Sequence, residues 1–166
     1  MATQLTEAVH ISKRIDASEF ENFNGQLSRR PVPKEEHADY QFLLVNLLDA
    51  MVKPLGGKAR QEWSISDDEG HWLTPDVTVA PSGFKRAKNN HLLIPAYLVV
   101  EVRSEDQSLR ELFEKRTQYQ VWNTRFYWLI DPLEKACYEV LPDISLRPDT
   151  LRKDLFSLKV ADIFPA

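Results

Sequence analysis

The stretch Tyr97-Leu98-Val99-Val100-Glu101-Val102-Arg103-Ser104 decides how this chain is read. Its apolar residues fall on both parities, so neither face of an extended segment is left for water, and the run is too short for a buried helix. It reads as a strand in a sheet covered on both sides, with one carboxylate, Glu101, where covering should exclude charge. Phe126 to Ile130 is a second such strand, Pro132 to Lys135 a turn, and Ala136 to Leu141 its hairpin partner. Between the two buried strands, Ser104-x-x-Gln107 has the form of a capping box and opens a helix over about residues 106–122.

Upstream, Pro33 stands near a first helical turn, and Glu35 and Glu36 suit its positive end. Tyr40, Leu43, Leu44, Leu47, Leu48 and Met51 then recur at three- and four-residue steps, until Pro54 and Gly56-Gly57 stop the helix. Residues 58–65 alternate, Asp67-Asp68-Glu69-Gly70 is a turn signal, and Trp72 to Ala80 resumes as a strand, which predicts a hairpin. Residues 81–94 and 143–150 read as loops, and Leu155 to Phe164 as a strand and turn. Asp16-Ala17-Ser18-Glu19 is another capping-box candidate for a short helix, and residues 1–15 read as an arm. Helix, strands, helix, strands indicate a mixed α/β (α+β) layer fold with a central sheet flanked by helices.

The 166 residues favour one domain, 1–166, and 43% hydrophobic with 28% charged is an ordinary globular composition. The apolar runs, Leu43 to Val45 and Ala96 to Val100 among them, fall far short of the ~20 residues of a membrane helix, and no secretory signal is visible. A lone cysteine, Cys137, fits a reducing cytoplasm. The net charge of 21 − 25 = −4 counts against coating nucleic acid non-specifically but leaves room for a local phosphate site.

Two acids occupy odd places: Asp76, between Pro75 and Val77-Thr78-Val79, and Glu101. Either alone reads as a paired carboxylate or a strand end reaching solvent; together they fit a site for a hard cation such as Mg²⁺. Glu101 and Arg103, two residues apart on a strand, point the same way. The chain advances about 10 Å from Glu101 to the turn near Ser104 at ~3.3 Å per residue. A helix running back returns about 13–14 Å by Lys115 at ~1.5 Å per residue. Lys115 is then roughly level with Glu101, although periodicity alone favours a place on a solvated charged face. His37 at the helix start reads as structural, and the histidines at 10, 37, 71 and 91 have no zinc-type spacing.

Thr74-Pro75-Asp76-Val77, a 25-residue step (101 − 76) to Val99-Val100-Glu101-Val102-Arg103-Ser104, then Lys115-x-x-x-Tyr119 and Tyr127-Trp128-Leu129-Ile130-Asp131-Pro132 form an ordered set. The set resembles the small bacterial restriction-endonuclease family of the PD-(D/E)XK nuclease superfamily, which has Pro-Asp-Val, Glu-Val-x-Ser, Lys-x-x-x-Tyr and Tyr-Trp-Leu-Ile-Asp-Pro in this order. Phe20-Glu21 with Gly25, and the step from Pro33 to His37, look like its opening segments, so the resemblance covers about residues 16–165. Two positions depart from the pattern. Arg103 stands where the superfamily places a lysine, with Lys115 as its displaced counterpart, and Asn123-Thr124-Arg125-Phe126 replaces the usual Gly-Val-x-Glu.

The resemblance implies a restriction-endonuclease-like core, a homodimer, and Mg²⁺- or Mn²⁺-dependent cleavage of DNA by metal-activated water. Asp76, Glu101 and the Val102 carbonyl would hold the metal, with Glu36 as a further candidate ligand. Lys115 would orient the water or neutralise developing charge, and Arg103 would clamp phosphate. Arg29, Arg30, Lys85, Arg86 and Lys88 are candidates for the DNA backbone. The rival expectation is a catalytically silent binding or assembly module that keeps the fold, which Arg103 in place of lysine favours.

Overall fold

In the computed structural model the described residues are 19–165, except Asn24, Pro31, Pro33, Asp68 and Leu155, with only the backbone of Lys153. The expected arm over 1–15, Asp16 to Ser18 and Pro33 lie outside them. The first described element is a hairpin of strands, β1 (Phe20–Phe23) and β2 (Gln26–Arg29), where a short helix after Asp16 was expected.

Helix α1 (Glu35–Val52) follows, and a 3₁₀ turn at Lys53–Leu55 ends it. Gly56 adopts φ 80°, and a β-carbon on Gly57 would lie 2.7 Å from the Ala80 carbonyl oxygen, which explains the glycine pair. The expected hairpin is split between two sheets. Its outer part pairs β3 (Lys58–Gln61) with β6 (Val77–Ala80), and its tip pairs β4 (Ile65–Ser66) with β5 (Trp72–Leu73). Glu62, at φ 47°, turns the chain out of the first pairing just before Trp63. The segment expected as loop contains β7 (Leu92–Leu93), which runs parallel to β4.

Strand β8 (Leu98–Val102) is buried throughout and pairs antiparallel with β6 and parallel with β9 (Phe126–Asp131). Between them runs α2 (Leu109–Val121). Its capping box is Ser108 with Glu111, not Ser104 with Gln107; the earlier pair closes a turn instead, Gln107 N donating to the Ser104 carbonyl. Strand β10 (Ala136–Val140) completes the expected hairpin with β9, and β11 (Ser145–Leu146) adds an exposed edge within the segment read as loop. The chain closes with β12 (Thr150–Lys153), β13 (Phe156–Lys159) and a short helix α3 (Val160–Ile163).

The central sheet has the order β11-β10-β9-β8-β6-β3 and is mixed, with the parallel pair at its middle. Alternation along β8 sorts its side chains. Leu98, Val100 and Val102 join Leu44, Leu48 and Val52 of α1, together with Trp128, Phe156 and Leu158, in one core. Val99 joins Leu112, Tyr119 and Trp122 of α2 in the other, where the second sheet, β2-β1-β5-β4-β7, also packs. Glu101 shares the parity of Val99, so its carboxylate is directed toward α2. No helix among the described residues is long and apolar enough to cross a membrane.

Candidate active site

Asp76 immediately precedes β6, and its neighbour in register brings Val77 opposite Val100, so Asp76 and Glu101 meet at one end of the central sheet. Both are buried, at 7% and 4% exposure. The Asp76 Oδ1 accepts hydrogen bonds from His37 Nε2 at 2.9 Å and Gln41 Nε2 at 2.8 Å; its Oδ2 accepts from the Val102 backbone N–H at 2.7 Å. On the α2 side, Glu101 Oε1 accepts from Tyr119 OH at 2.5 Å and from Lys115 Nζ at 2.9 Å. Lys115 and Tyr119 are four apart on α2, so a single helix face delivers both donors. Lys115 Nζ also stands 3.5 Å from Glu21 of β1, whose Oε1 takes the Thr74 N–H at 2.9 Å. A small cleft is lined by Glu21, His37, Asp76, Glu101, Ser104 and Lys115, with Arg29 and Arg30 at the same opening.

Charge in this cleft is mutually tuned. Burial alone would raise Asp76, but the His37 hydrogen bond and charge, the Val102 N–H and Lys115 together hold it below the usual carboxylate range. Glu101 goes the other way: burial outweighs the Lys115 ammonium, Asp76 and Glu21 repel a second charge, and its carboxyl is pushed up to about 7. Burial opposes charge on Lys115 and on His37, yet the surrounding carboxylates win and both are raised. Tyr119 and Tyr127 are raised by burial and by the same acids.

Of the residues picked out from the sequence, Asp76, Glu101 and Lys115 are brought together. Arg103 is not with them. It lies past the end of β8, donates from Nη1 to Asp131 Oδ2 at 2.9 Å and from Nε to the Gln107 carbonyl at 3.0 Å, and leaves Glu101 to Lys115. Asp131 has no exposed side-chain surface, and such a carboxylate requires a partner, which is why the guanidinium is drawn there. Glu36 is exposed and lies beside Lys34 and Arg103 in a neighbouring depression; its chain neighbour His37 lines the cleft instead. Arg29 pairs with Glu19 and Arg30 with Glu62. Lys85, Arg86 and Lys88 are exposed on the loop that leaves the opposite end of β6, and the Arg86 guanidinium sits 5.4 Å over the Trp63 ring.

Three contributors escaped the sequence reading. His37 and Gln41 carry a helical signal, since positions 37, 41, 44, 48 and 52 are the buried stripe of α1 continued back one turn into polar residues. Glu21 has no spacing signal, because β1 reaches the cleft only through the packing of the second sheet.

A much larger cavity, about 840 Å³, opens at the other end of β6 and β8, between Phe84, Ile94 and Trp122. Asp67, Glu69 and His71 at its rim have ligand atoms within 4.8 Å of one another. This group is closed on itself: Asp67 Oδ2 bonds His71 Nδ1 at 2.7 Å, and Oδ1 takes the Glu69 and His71 N–H groups. The chemistry therefore points to the smaller cleft, where buried acids and a lysine converge.

The family Uma2, described as "Putative restriction endonuclease", matches residues 7–154. A crystal structure from Anabaena variabilis ATCC 29413, described as "a putative nuclease belonging to DUF820", superposes with a TM-score of 0.75 at 23% identity, over 93% of this chain and 94% of that one. A DrdV–DNA complex solved by cryo-electron microscopy aligns with a TM-score of 0.37 at 13% identity, over 63% of this chain and 9% of that one. No curated protein matches. The first superposition shows a shared fold.

Proposed function

The chain belongs to the Uma2 family, and we propose that it is a metal-dependent endonuclease that hydrolyses DNA phosphodiester bonds, with residues 1–166 as one nuclease domain. Family membership supports a nuclease-type function. The observation that carries the finer reading is the meeting of Asp76 and Glu101 on adjacent strands with Lys115 Nζ at 2.9 Å from Glu101.

The donor set fits a hard divalent ion. Asp76, Glu101 and Glu21 are oxygen donors gathered in one cleft, and oxygen donors are what Mg²⁺ or Mn²⁺ prefers. Asp76 and Glu101 would hold the ion, with the Val102 carbonyl as a further donor. When bound, such an ion would lower the pKa of a coordinated water and help neutralise charge on the phosphate oxygens.

The chain's own groups do the rest. Tyr119 fixes the Glu101 carboxylate in one orientation, and Lys115 offers an ammonium to the developing negative charge. Arg29 and Arg30, at the cleft opening, would offer guanidinium groups to the phosphate backbone. With a net charge of −4, DNA affinity is modest and falls steeply with salt.

The experiment is cleavage of linear, single-stranded and branched DNA in Mg²⁺ and Mn²⁺ by the wild type beside Glu101→Ala and Asp76→Ala. The expected loss in either variant is at least about 100-fold, the scale of removing one group that stabilises transition-state charge. Equal background cleavage by all three proteins overturns the enzyme reading in favour of a silent binding module.

A further inference from the structure

A carboxylate offers about four lone-pair positions, two on each oxygen. At Asp76 both positions of Oδ1 are taken, by His37 Nε2 at 2.9 Å and Gln41 Nε2 at 2.8 Å, and one of Oδ2 by the Val102 N–H at 2.7 Å. One position remains, on Oδ2. The donors are buried too, His37 at 9% and Gln41 at 2% exposure, so water does not readily replace them.

Ionised Asp76 only accepts, so Nε2 carries the hydrogen of this bond, and on the far side of the ring Nδ1 lies 3.4 Å from Ser104 Oγ. Ser104 is itself tethered, its N–H donating to Gln107 Oε1 at 3.1 Å. A chain of contacts, Gln107 to Ser104 to His37 to Asp76, thus runs from the loop before α2 across to α1 and ends on one carboxylate oxygen.

We infer that His37, seconded by Gln41 and backed by Ser104, is a positioning residue that restricts Asp76 to single-oxygen coordination and so selects a small octahedral cation over Ca²⁺. The inference rests on the metal site proposed above. Single-oxygen contact suits the octahedral shell of Mg²⁺ and Mn²⁺, whereas Ca²⁺ gains from the bidentate carboxylates and higher coordination numbers that the occupied Oδ1 denies it. His37 touches neither the cation nor the substrate in this scheme; it acts through Asp76.

Calorimetric titration with Mn²⁺ and with Ca²⁺ tests this on the wild type, Asp76→Ala, His37→Ala and His37→Gln. In His37→Ala, Mn²⁺ affinity should fall about 10–100-fold, the usual cost of losing a group that orients a ligand, with a smaller fall for Ca²⁺, so that the preference narrows. His37→Gln, whose amide nitrogen replaces the donor, should restore the preference toward the wild-type value. If His37→Ala does not fold, Gln41→Leu removes the other donor from the same oxygen and should narrow the preference in the same way. Unchanged Mn²⁺ affinity in the alanine variant, an equal fall for both ions, or no difference between alanine and glutamine overturns the inference while leaving the metal site standing. A wild type that binds Mn²⁺ no better than Asp76→Ala removes the site itself and the inference with it.

Discussion

At Glu101 two effects oppose each other. The side chain is 5% exposed, so burial penalises its charge, while Lys115 at 2.9 Å and the Tyr119 hydroxyl favour it. Burial prevails, and the carboxyl is raised from an ordinary 4.5 to about 7. Between these two values the folded protein holds a proton that the unfolded chain has released, so this group makes stability fall as pH rises through that window and leaves it flat above. Asp76 is lowered instead, and its contribution, present above the ordinary value of 3.8, is lost only as the solution becomes more acid than that. Urea unfolding of the metal-free protein from pH 4.5 to 6.5, below the ordinary value of the raised His37, should therefore show a decline that Glu101→Gln reduces; an identical decline in the variant would contradict the assignment. The acids themselves were legible, because a carboxylate in Leu-Val-Val-Glu-Val stands out against its neighbours. Their proton affinities were not, since these depend on burial and on groups brought in from elsewhere in the chain, His37 and Lys115 at Asp76, Lys115 and Glu21 at Glu101.

Helix α2 carries the lysine, and its start is fixed by reciprocal bonds: Glu111 N–H donates to Ser108 Oγ, and Ser108 N–H donates to Glu111 Oε2. Replacing Ser108 by alanine should lower global stability by about 1 kcal/mol, read as a shift of the urea midpoint with an unchanged slope. A loss no larger than that of a neutral surface substitution would mean the cap is redundant. Sequence reasoning placed the box four residues early because Ser104-x-x-Gln107 has the same form. Which box caps the helix is set by where the chain leaves β8: Arg103 N–H still donates to Ile130 of β9, so residue 103 belongs to the sheet and the helix waits for another turn of chain. The periodicity of α1 was equally visible, yet it gave His37 only a structural role and did not reach Gln41; their part shows only once Asp76, just before β6, is seen to lie against them.

Across the whole molecule, the cleft stands where three layers meet: α1 supplies His37, the central sheet Asp76 and Glu101, and α2 with the second sheet Lys115 and Glu21. A cation bound there ties all three, so Mn²⁺ at 100 times its dissociation constant should stabilise the wild type by about 2.7 kcal/mol. Thermal unfolding with and without Mn²⁺ measures this, and the shift should vanish in Asp76→Ala; an equal shift in both proteins would place the ion elsewhere, the Asp67–Glu69–His71 hairpin being the alternative.

Local patterning determined the buried strands β8 and β9, the two long helices and the two acids, while it was the family resemblance that joined Lys115 to them. Hydrophobic period, turn residues and strand-to-helix rise act over a few residues and need nothing distant. Tertiary structure decided the rest: the split of one hairpin between two sheets, the capture of Arg103 by Asp131, and the arrival of Glu21 and His37 at the cleft. Each of these depends on which buried charge finds which partner. A buried group must be satisfied by whatever packing brings near, and no spacing in the chain encodes that distance.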